Sequence, residues 1–298
     1  MDKKFLYSGH FGDLFIVLSK LKAYISKNNI EKISLTRVNF NTPSPFDKSI
    51  KEMVDTLEWC DFNTYPEIVS NCFQIKKILE KTKLKYISPY MNGFDLENEF
   101  LSDGCKLPEG IYPFSFKPIL PIDINLKKKI VLIHKQSGKW GGNYKEISLT
   151  SVSKFFPNSK NICFLLTGIG DYLSDDINNF CSKHNVINLI DKFNDVRDWM
   201  HLIHFVDLVI TPEGFPAFYS MSLLKPTIFL YEVPDILRRA SVAWIANSFS
   251  NINTNISLKE KIDYKIRKTF SLKPSNLCLN DSHDLKIYIK KVLNKTNL

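Results

Sequence analysis

The 298-residue chain has no C-x-x-C pair, no G-x-G-x-x-G fingerprint and no D-x-D carboxylate pair, and each absence removes a class of chemistry. Its six cysteines (Cys60, Cys72, Cys105, Cys163, Cys181 and Cys278) are too scattered for a zinc or dithiol redox motif. Several sit in apolar runs, as Cys163 does in Ile162-Cys163-Phe164-Leu165-Leu166, and read as reduced, buried small hydrophobes. Without the dinucleotide fingerprint, a nicotinamide or flavin site has little support. Without paired carboxylates, no divalent metal is expected, since hard oxygen ligands must grip it; Asp95-Leu96-Glu97 comes nearest and reads as a solvated loop. No apolar run is long enough to span a bilayer, and Met1-Asp2-Lys3-Lys4 does not open a leader peptide, so the expected location is cytoplasmic. Internal repeats and low-complexity tracts are missing too.

What is present is ordinary for a globular protein: 44% hydrophobic, 24% charged and 13% aromatic residues. The length suits two domains, each able to bury its own core. The net charge of +9 comes from lysines scattered along the chain, with local concentrations at Lys127-Lys128-Lys129 and from Lys290 to Lys295. Such a surface attracts anionic partners and leaves a peripheral contact with anionic membrane open. A nucleic-acid partner is not expected, because no recognition motif or concentrated basic and aromatic face accompanies the charge.

Apolar periodicity alternates between strand and helix throughout. In the first half it predicts strands at Lys4–Ser8, Lys32–Val38 and Leu84–Ser88, and helices at Leu14–Ile25, Phe46–Leu57 and Glu67–Lys81, with Asp61–Pro66 as a loop. The stretch from Pro89 to Asp123 is irregular, and the proline-bearing, then charged segment Leu120–Lys129 is the best linker. Beyond it come strands at Ile130–His134, Ile162–Thr167, Val186–Ile190, Asp207–Ile210 and Thr227–Tyr231. Between and after these lie helices at Leu149–Phe156, Ser174–His184, Val196–Phe205, Pro234–Ala246 and Asp284–Leu293. The fold class is α/β with two Rossmann-like domains, 1–125 and 126–298.

Three glycine-bearing turns follow strands, where parallel sheets bind ligands. Gly9-His10-Phe11-Gly12-Asp13 joins the first strand to the first helix. Its glycines allow unusual backbone angles and close ligand approach. Read from its position alone, Asp13 caps that helix, satisfying free N–H groups at its start. His134 to Gly142 is a polar, glycine-punctuated turn after a strand, with His134 read as a hydrogen-bonded structural residue. Thr211-Pro212-Glu213-Gly214 opens the helix that runs to Pro226. A carboxylate and a glycine at a helix start there would suit an anionic ligand with hydroxyls, with free N–H groups facing its charge. Gly168 ends another strand.

Thr211 to Pro226, TPEGFPAFYSMSLLKP, resembles the donor-site segment of glycosyltransferase family 9, the bacterial heptosyltransferases and their relatives. The Gly9 to Asp13 loop is similar to that family's amino-terminal Gly-Asp loop. The resemblance implies a GT-B arrangement, two Rossmann-like domains facing each other across a cleft, with the final helix crossing back to the first domain. It implies an inverting, metal-independent transferase that needs no cofactor beyond its nucleotide-sugar donor, and whose acceptor is a glycan or glycolipid of lipopolysaccharide or another surface glycan. Asp13 would be the catalytic base. Gly9, Gly12, Gln136, Ser137, Lys139, Gly168, Phe193, Glu213, Gly214 and Phe215 would surround the donor, with Ser137 and Lys139 on its phosphates. Phe215 stands where many members have a second glycine and Phe218 where they have histidine. These two rings alter the pocket expected for ADP-heptose, and a catalytically silent nucleotide-sugar-binding or structural protein is the alternative.

Overall fold

The computed structural model describes residues 3–40, 46–70, 72–87, 114, 117–140, 143–156, 161–168, 175–212, 214–223, 225–230, 269–270, 289–290 and 292–294. The helix expected at 234–246, most of the irregular segment 89–123, and Glu213 lie outside them. The chain forms two compact units, the first carried mainly by residues up to Lys117 and the second beginning at Pro118.

The first unit runs β1 (Lys3–Ser8), α1 (Phe11–Asn28), β2 (Ile33–Phe40), α2 (Asp47–Val54), β3 (Cys60–Val69), α3 (Cys72–Thr82) and β4 (Lys85–Tyr86). Its strands form one sheet in the order β3-β2-β1-β4, all pairs parallel. Parallel neighbours need a crossover, and α1, α2 and α3 supply it. Helix α1 is buried from Leu14 to Leu21, polar Ser19 included; the Ser19 hydroxyl donates back to the Phe15 carbonyl at 2.8 Å, which makes its burial tolerable. The helix stops at Asn29, which adopts left-handed angles (φ 51°) while the Ile30 N–H closes on the Ile25 carbonyl.

Strand β3 differs from the expectation of a loop over Asp61–Pro66 and a helix from Glu67: the strand continues to Val69 and the helix starts only at Cys72. The physical reason is its place at the sheet edge. One side of an edge strand is unpaired, so exposed polar residues and Pro66 are tolerated where a central strand would exclude them. The pairing slips around Pro66, with Arg37 opposite Thr64 and Asn39 already opposite Ile68.

The second unit continues with β5 (Lys129–His134), β6 (Gln136–Trp140), β7 (Asn143–Glu146), α4 (Leu149–Ser153), β8 (Ile162–Thr167), α5 (Asp175–Lys183) and β9 (Val186–Asn188). Then follow α6 (Val196–His204), β10 (Leu208–Thr211), α7 (Phe215–Ser222), β11 (Thr227–Leu230) and β12 (Thr269–Phe270), the last not anticipated from sequence. The large sheet has the order β12-β11-β10-β5-β8-β9, all parallel. Counted from β5 and leaving out the β6–β7 pair, this is the doubly wound 3-2-1-4-5-6 order of a Rossmann domain.

Strands β8 and β10 are buried at every residue and β5 at all but its first, as expected of parallel strands covered on both faces. Phe164 of β8 stands edge-on to Phe156, in the turn after α4, at 5.0 Å and to Phe180 of α5 at 5.4 Å, holding both against the sheet. Two carboxylates tie neighbouring elements. Asp207 accepts from the Ile130 N–H at 2.8 Å, and Asp176 accepts from the Leu149 and Thr150 N–H groups, each at 2.8 Å, capping α4 from α5. The described part of the closing helix, residues 289–290 and 292–294, buries Ile289 in this same core, where the family resemblance implied a crossing to the first domain. Among the described residues no helix is long and apolar enough to cross a membrane.

Candidate functional site

In a doubly wound sheet the chain leaves its first strand to one side and later returns to the other. The crevice between the diverging loops is where ligands bind. In the second unit that point lies between β5 and β10, which pair with Ile133 beside Ile210. The two sequence segments selected above, after His134 and after Thr211, therefore emerge side by side at the carboxyl ends of adjacent strands.

His134 closes β5 and is 3% exposed; its Nδ1 lies 3.1 Å from the Thr167 hydroxyl, and its ring meets Trp199 edge-on at 5.6 Å. Burial lowers its pKa to about 4, so it is neutral at physiological pH. It serves as a structural hydrogen-bonding residue, as its strand-end position suggested. The stretch after it, expected as a turn, is instead a hairpin: β6 pairs antiparallel with β7, Ser137 opposite Lys145 and Lys139 opposite Tyr144. The register shifts between Ser137 and Lys139, so Gly138 is the extra residue of a bulge, the conformation that glycine suits in a strand. Ladder hydrogen bonds from Lys135 to Thr167 (2.7 Å) and from Ile147 to Lys135 (2.8 Å) root this hairpin on the sheet.

Gly168 follows β8 with φ 147°, and a Cβ there would stand 3.1 Å from the Gln136 nitrogen. Gln136, at the start of β6, and Gly168, just after β8, are thus in contact. The Gly168 carbonyl accepts from Asp191, which opens the turn to Phe193; that ring is 9% exposed and packs against Trp199. Gly214 is half-buried at the start of α7, where its carbonyl accepts from the Ala217 N–H at 3.1 Å. Phe215 is 6% exposed and stacks obliquely on Tyr219 at 5.3 Å, as a packing residue of the helix. The structure therefore brings Gln136, Gly168 and Phe193 together through the loops of one sheet end, with Gly214 and Phe215 on the loop and helix after β10. Ser137 and Lys139 lie in the β6 backbone.

The first unit has its own switch point at β1, between β2 and β4. The Gly9–Asp13 loop starts there. Gly9 has φ 150°, and a Cβ on it would meet the Asp13 Oδ2 at 2.5 Å. Gly12 and half-buried Asp13 belong to the first turn of α1, and Asp13 Oδ2 accepts from the His10 N–H at 2.8 Å. That is the capping bond anticipated as one of the two readings of Asp13.

Sequence reading missed what lies beneath this loop. Arg37, on β2 and 2% exposed, donates from Nε to the Gly9 carbonyl at 3.2 Å and from Nη1 to Asp47 at 2.5 Å. Tyr7, its register partner on β1, is fully buried, and burial pushes its hydroxyl pKa far above the ordinary value. Tyr7 Oη, Arg37 Nη2 and Asn39 Oδ1 have no hydrogen-bond partner among the described residues. The available signal was an arginine inside the strand Ile33-Ser34-Leu35-Thr36-Arg37-Val38. A separate open cavity of about 630 Å³, lined by Lys4, Ser34, Asp55, Cys60 and Asp61 among others, lies at the amino ends of β1 to β3, away from the carboxyl-end loops.

No protein-family model matches the sequence, and no curated protein matches it. Solved structures do. A glycosyl transferase family 9 protein from Veillonella parvula superposes with a TM-score of 0.55 at 8% identity, covering 99% of both chains. E. coli ADP-heptose LPS heptosyltransferase II superposes at 0.53 with 9% identity, over 97% of this chain and 98% of its own. The E. coli heptosyltransferase solved with ADP-2-deoxy-2-fluoro heptose gives 0.52 at 8% identity, over 96% and 99%. Identities this low speak to architecture alone, and the architecture agrees with the strand orders above: the chain has the GT-B fold of glycosyltransferases, built from two Rossmann-like α/β domains.

Proposed function

We propose that this protein is a glycosyltransferase that moves a sugar from a nucleoside-diphosphate donor to a hydroxyl of a glycan or glycolipid. The observation that carries the reading is the 3-2-1-4-5-6 strand order, whose switch point sets the segment after β5, itself in contact with Gly168 through Gln136, beside the loop that opens α7. That point offers main-chain N–H groups and close backbone approach, which a diphosphate requires. Lys139 and Ser137 hold the phosphates, Glu213 takes the donor's hydroxyls, and Asp13 removes the proton from the acceptor. Transfer is inverting and runs without a divalent metal, the departing diphosphate being stabilised by Lys139 and N–H dipoles. ADP-heptose, named for one structural neighbour and present as its 2-deoxy-2-fluoro analogue in another, is the first donor to test. The protein works on the cytoplasmic side, in surface-glycan synthesis.

The test is a thermal-shift screen against ADP-, GDP- and UDP-linked sugars, followed by turnover with the donor that stabilises the fold. Asp13→Asn should keep donor affinity and lose orders of magnitude in turnover. Equal turnover would remove Asp13 from the chemistry, and no stabilisation by any sugar nucleotide would remove the transferase reading. One observation favours a second reading, a binding protein without catalysis: Phe215 is spent on packing against Tyr219 instead of leaving the open backbone of a glycine. Donor binding without turnover, and without change in Asp13→Asn, would support it.

A further inference from the structure

A buried, incompletely satisfied arginine is an unfavourable feature in a hydrophobic core. Desolvating a guanidinium costs several kcal/mol, and Arg37 Nη2 has no hydrogen-bond partner among the described residues. Tyr7 and Asn39 add two more such atoms in the same cluster. Polar clusters that work against stability are found where function requires them, so the question is what Arg37 accomplishes.

The answer lies in one peptide group. Gly9 and His10 share a peptide unit whose two polar ends are both engaged: the Gly9 carbonyl accepts from Arg37 Nε at 3.2 Å, and the His10 N–H donates to Asp13 Oδ2 at 2.8 Å. A peptide unit is planar, so fixing the direction of its carbonyl also fixes the direction of its N–H. A guanidinium on the carbonyl also draws electron density toward oxygen and strengthens the N–H as a donor to the carboxylate. Asp47, reached from α2, holds the guanidinium by Nη1 and is also within 3.4 Å of Asn39 Nδ2. Gly9 lets its Cα approach the carboxylate more closely than any side chain would permit.

We propose that Arg37 is the positioning residue for Asp13, acting through the Gly9–His10 peptide with Asp47 as its anchor. The proposal deepens the transferase reading and rests on Asp13 being the base. Arg37 touches no substrate. It sets the carboxylate's direction, and a base misplaced by about 1 Å loses about a hundredfold in rate. The fork geometry matters as much as the charge. A lysine at 37 retains a cation but cannot bond the Gly9 carbonyl and Asp47 from a rigid plane, so it should restore only part of the effect.

The experiment compares full-length wild type, Arg37→Lys and Arg37→Met by amide hydrogen exchange at His10, by melting temperature, and by kcat and KM for the donor. Arg37→Met should speed exchange at His10 about tenfold relative to the β1 amides, with Arg37→Lys in between. It should lower kcat at least about tenfold with donor KM unchanged within about twofold. Exchange that rises equally across β1 and β2, exchange that does not rise at His10, or a loss confined to KM would each overturn the proposal. If the Arg37 variants do not fold, Asp47→Asn, whose side chain is one-third exposed, carries the same test: a smaller shift in the same direction supports it, and wild-type exchange at His10 overturns it. Absence of turnover in wild type with any sugar nucleotide would sink the transferase reading, while His10 exchange still decides whether Arg37 holds the loop.

Discussion

Replacing Gly9 by alanine tests the geometry of the β1–α1 loop with a single methyl group. Gly9 has φ 150°, outside the region open to residues with a Cβ, and holding alanine there costs about 1–3 kcal/mol. The methyl would also stand 2.5 Å from Asp13 Oδ2, 2.7 Å from its Cβ and 2.9 Å from its Cγ. Ordinary contact lies near 3.4 Å, so the carboxylate must retreat by roughly 1 Å and its bond to the His10 N–H must lengthen. The expected result is a loss of about 2 kcal/mol in urea unfolding and about a hundredfold loss of turnover. Because Gly9 is also among the residues expected around the donor, donor affinity is measured separately from turnover. The readouts are denaturation midpoints, calorimetric titration with the donor, and steady-state kinetics. An alanine variant with wild-type stability would refute the strain argument. One that is less stable but turns over normally would refute the claim that the placement of Asp13 governs the rate.

Other outcomes follow from the same structure. Lys139→Ala should weaken nucleotide binding with little change in melting temperature, and equal affinity in calorimetry would dismiss Lys139 as a phosphate ligand. His134 has a folded pKa of about 4 against 6.5 when unfolded, so the unfolded chain binds the extra proton. Its contribution is therefore complete above pH 6.5 and is lost as pH falls toward 4, by about 3 kcal/mol in total. His134→Gln should flatten that part of the stability profile, and an unchanged slope would place the titration elsewhere. Asp176→Ala leaves the Leu149 and Thr150 N–H groups without their cap and should cost about 1–2 kcal/mol in urea unfolding. A loss below about 0.5 kcal/mol would mean that water replaces the carboxylate.

The elements that sequence alone revealed are those whose surroundings are uniform. Ile162–Thr167 was legible as a strand because both faces are covered, which demands an unbroken apolar run. Helices α5 and α6 were legible because one stripe faces the core and the rest faces water. Strand β3 was not, because an edge strand tolerates Pro66 and exposed polar residues that look like a loop. The β6–β7 hairpin was hidden for a related reason: Gly138 reads as a turn residue, and only antiparallel pairing turns it into a bulge.

Apolar rhythm therefore determined by itself that this is an α/β chain with two Rossmann-like halves, and glycine after a strand marked where its loops could approach a ligand. Both follow from local rules: the periodicity of side chains and the backbone freedom of glycine. Tertiary structure decided which segments become neighbours, since the crossing from β9 to β10 puts the segment after Thr211 beside the hairpin after His134. It also decided the role of Arg37, whose value depends on a carbonyl 28 residues earlier and a carboxylate 10 residues later meeting one guanidinium. No linear pattern records that meeting, because it is made by the pairing of β1 with β2 and by the start of α2 coming back against β2.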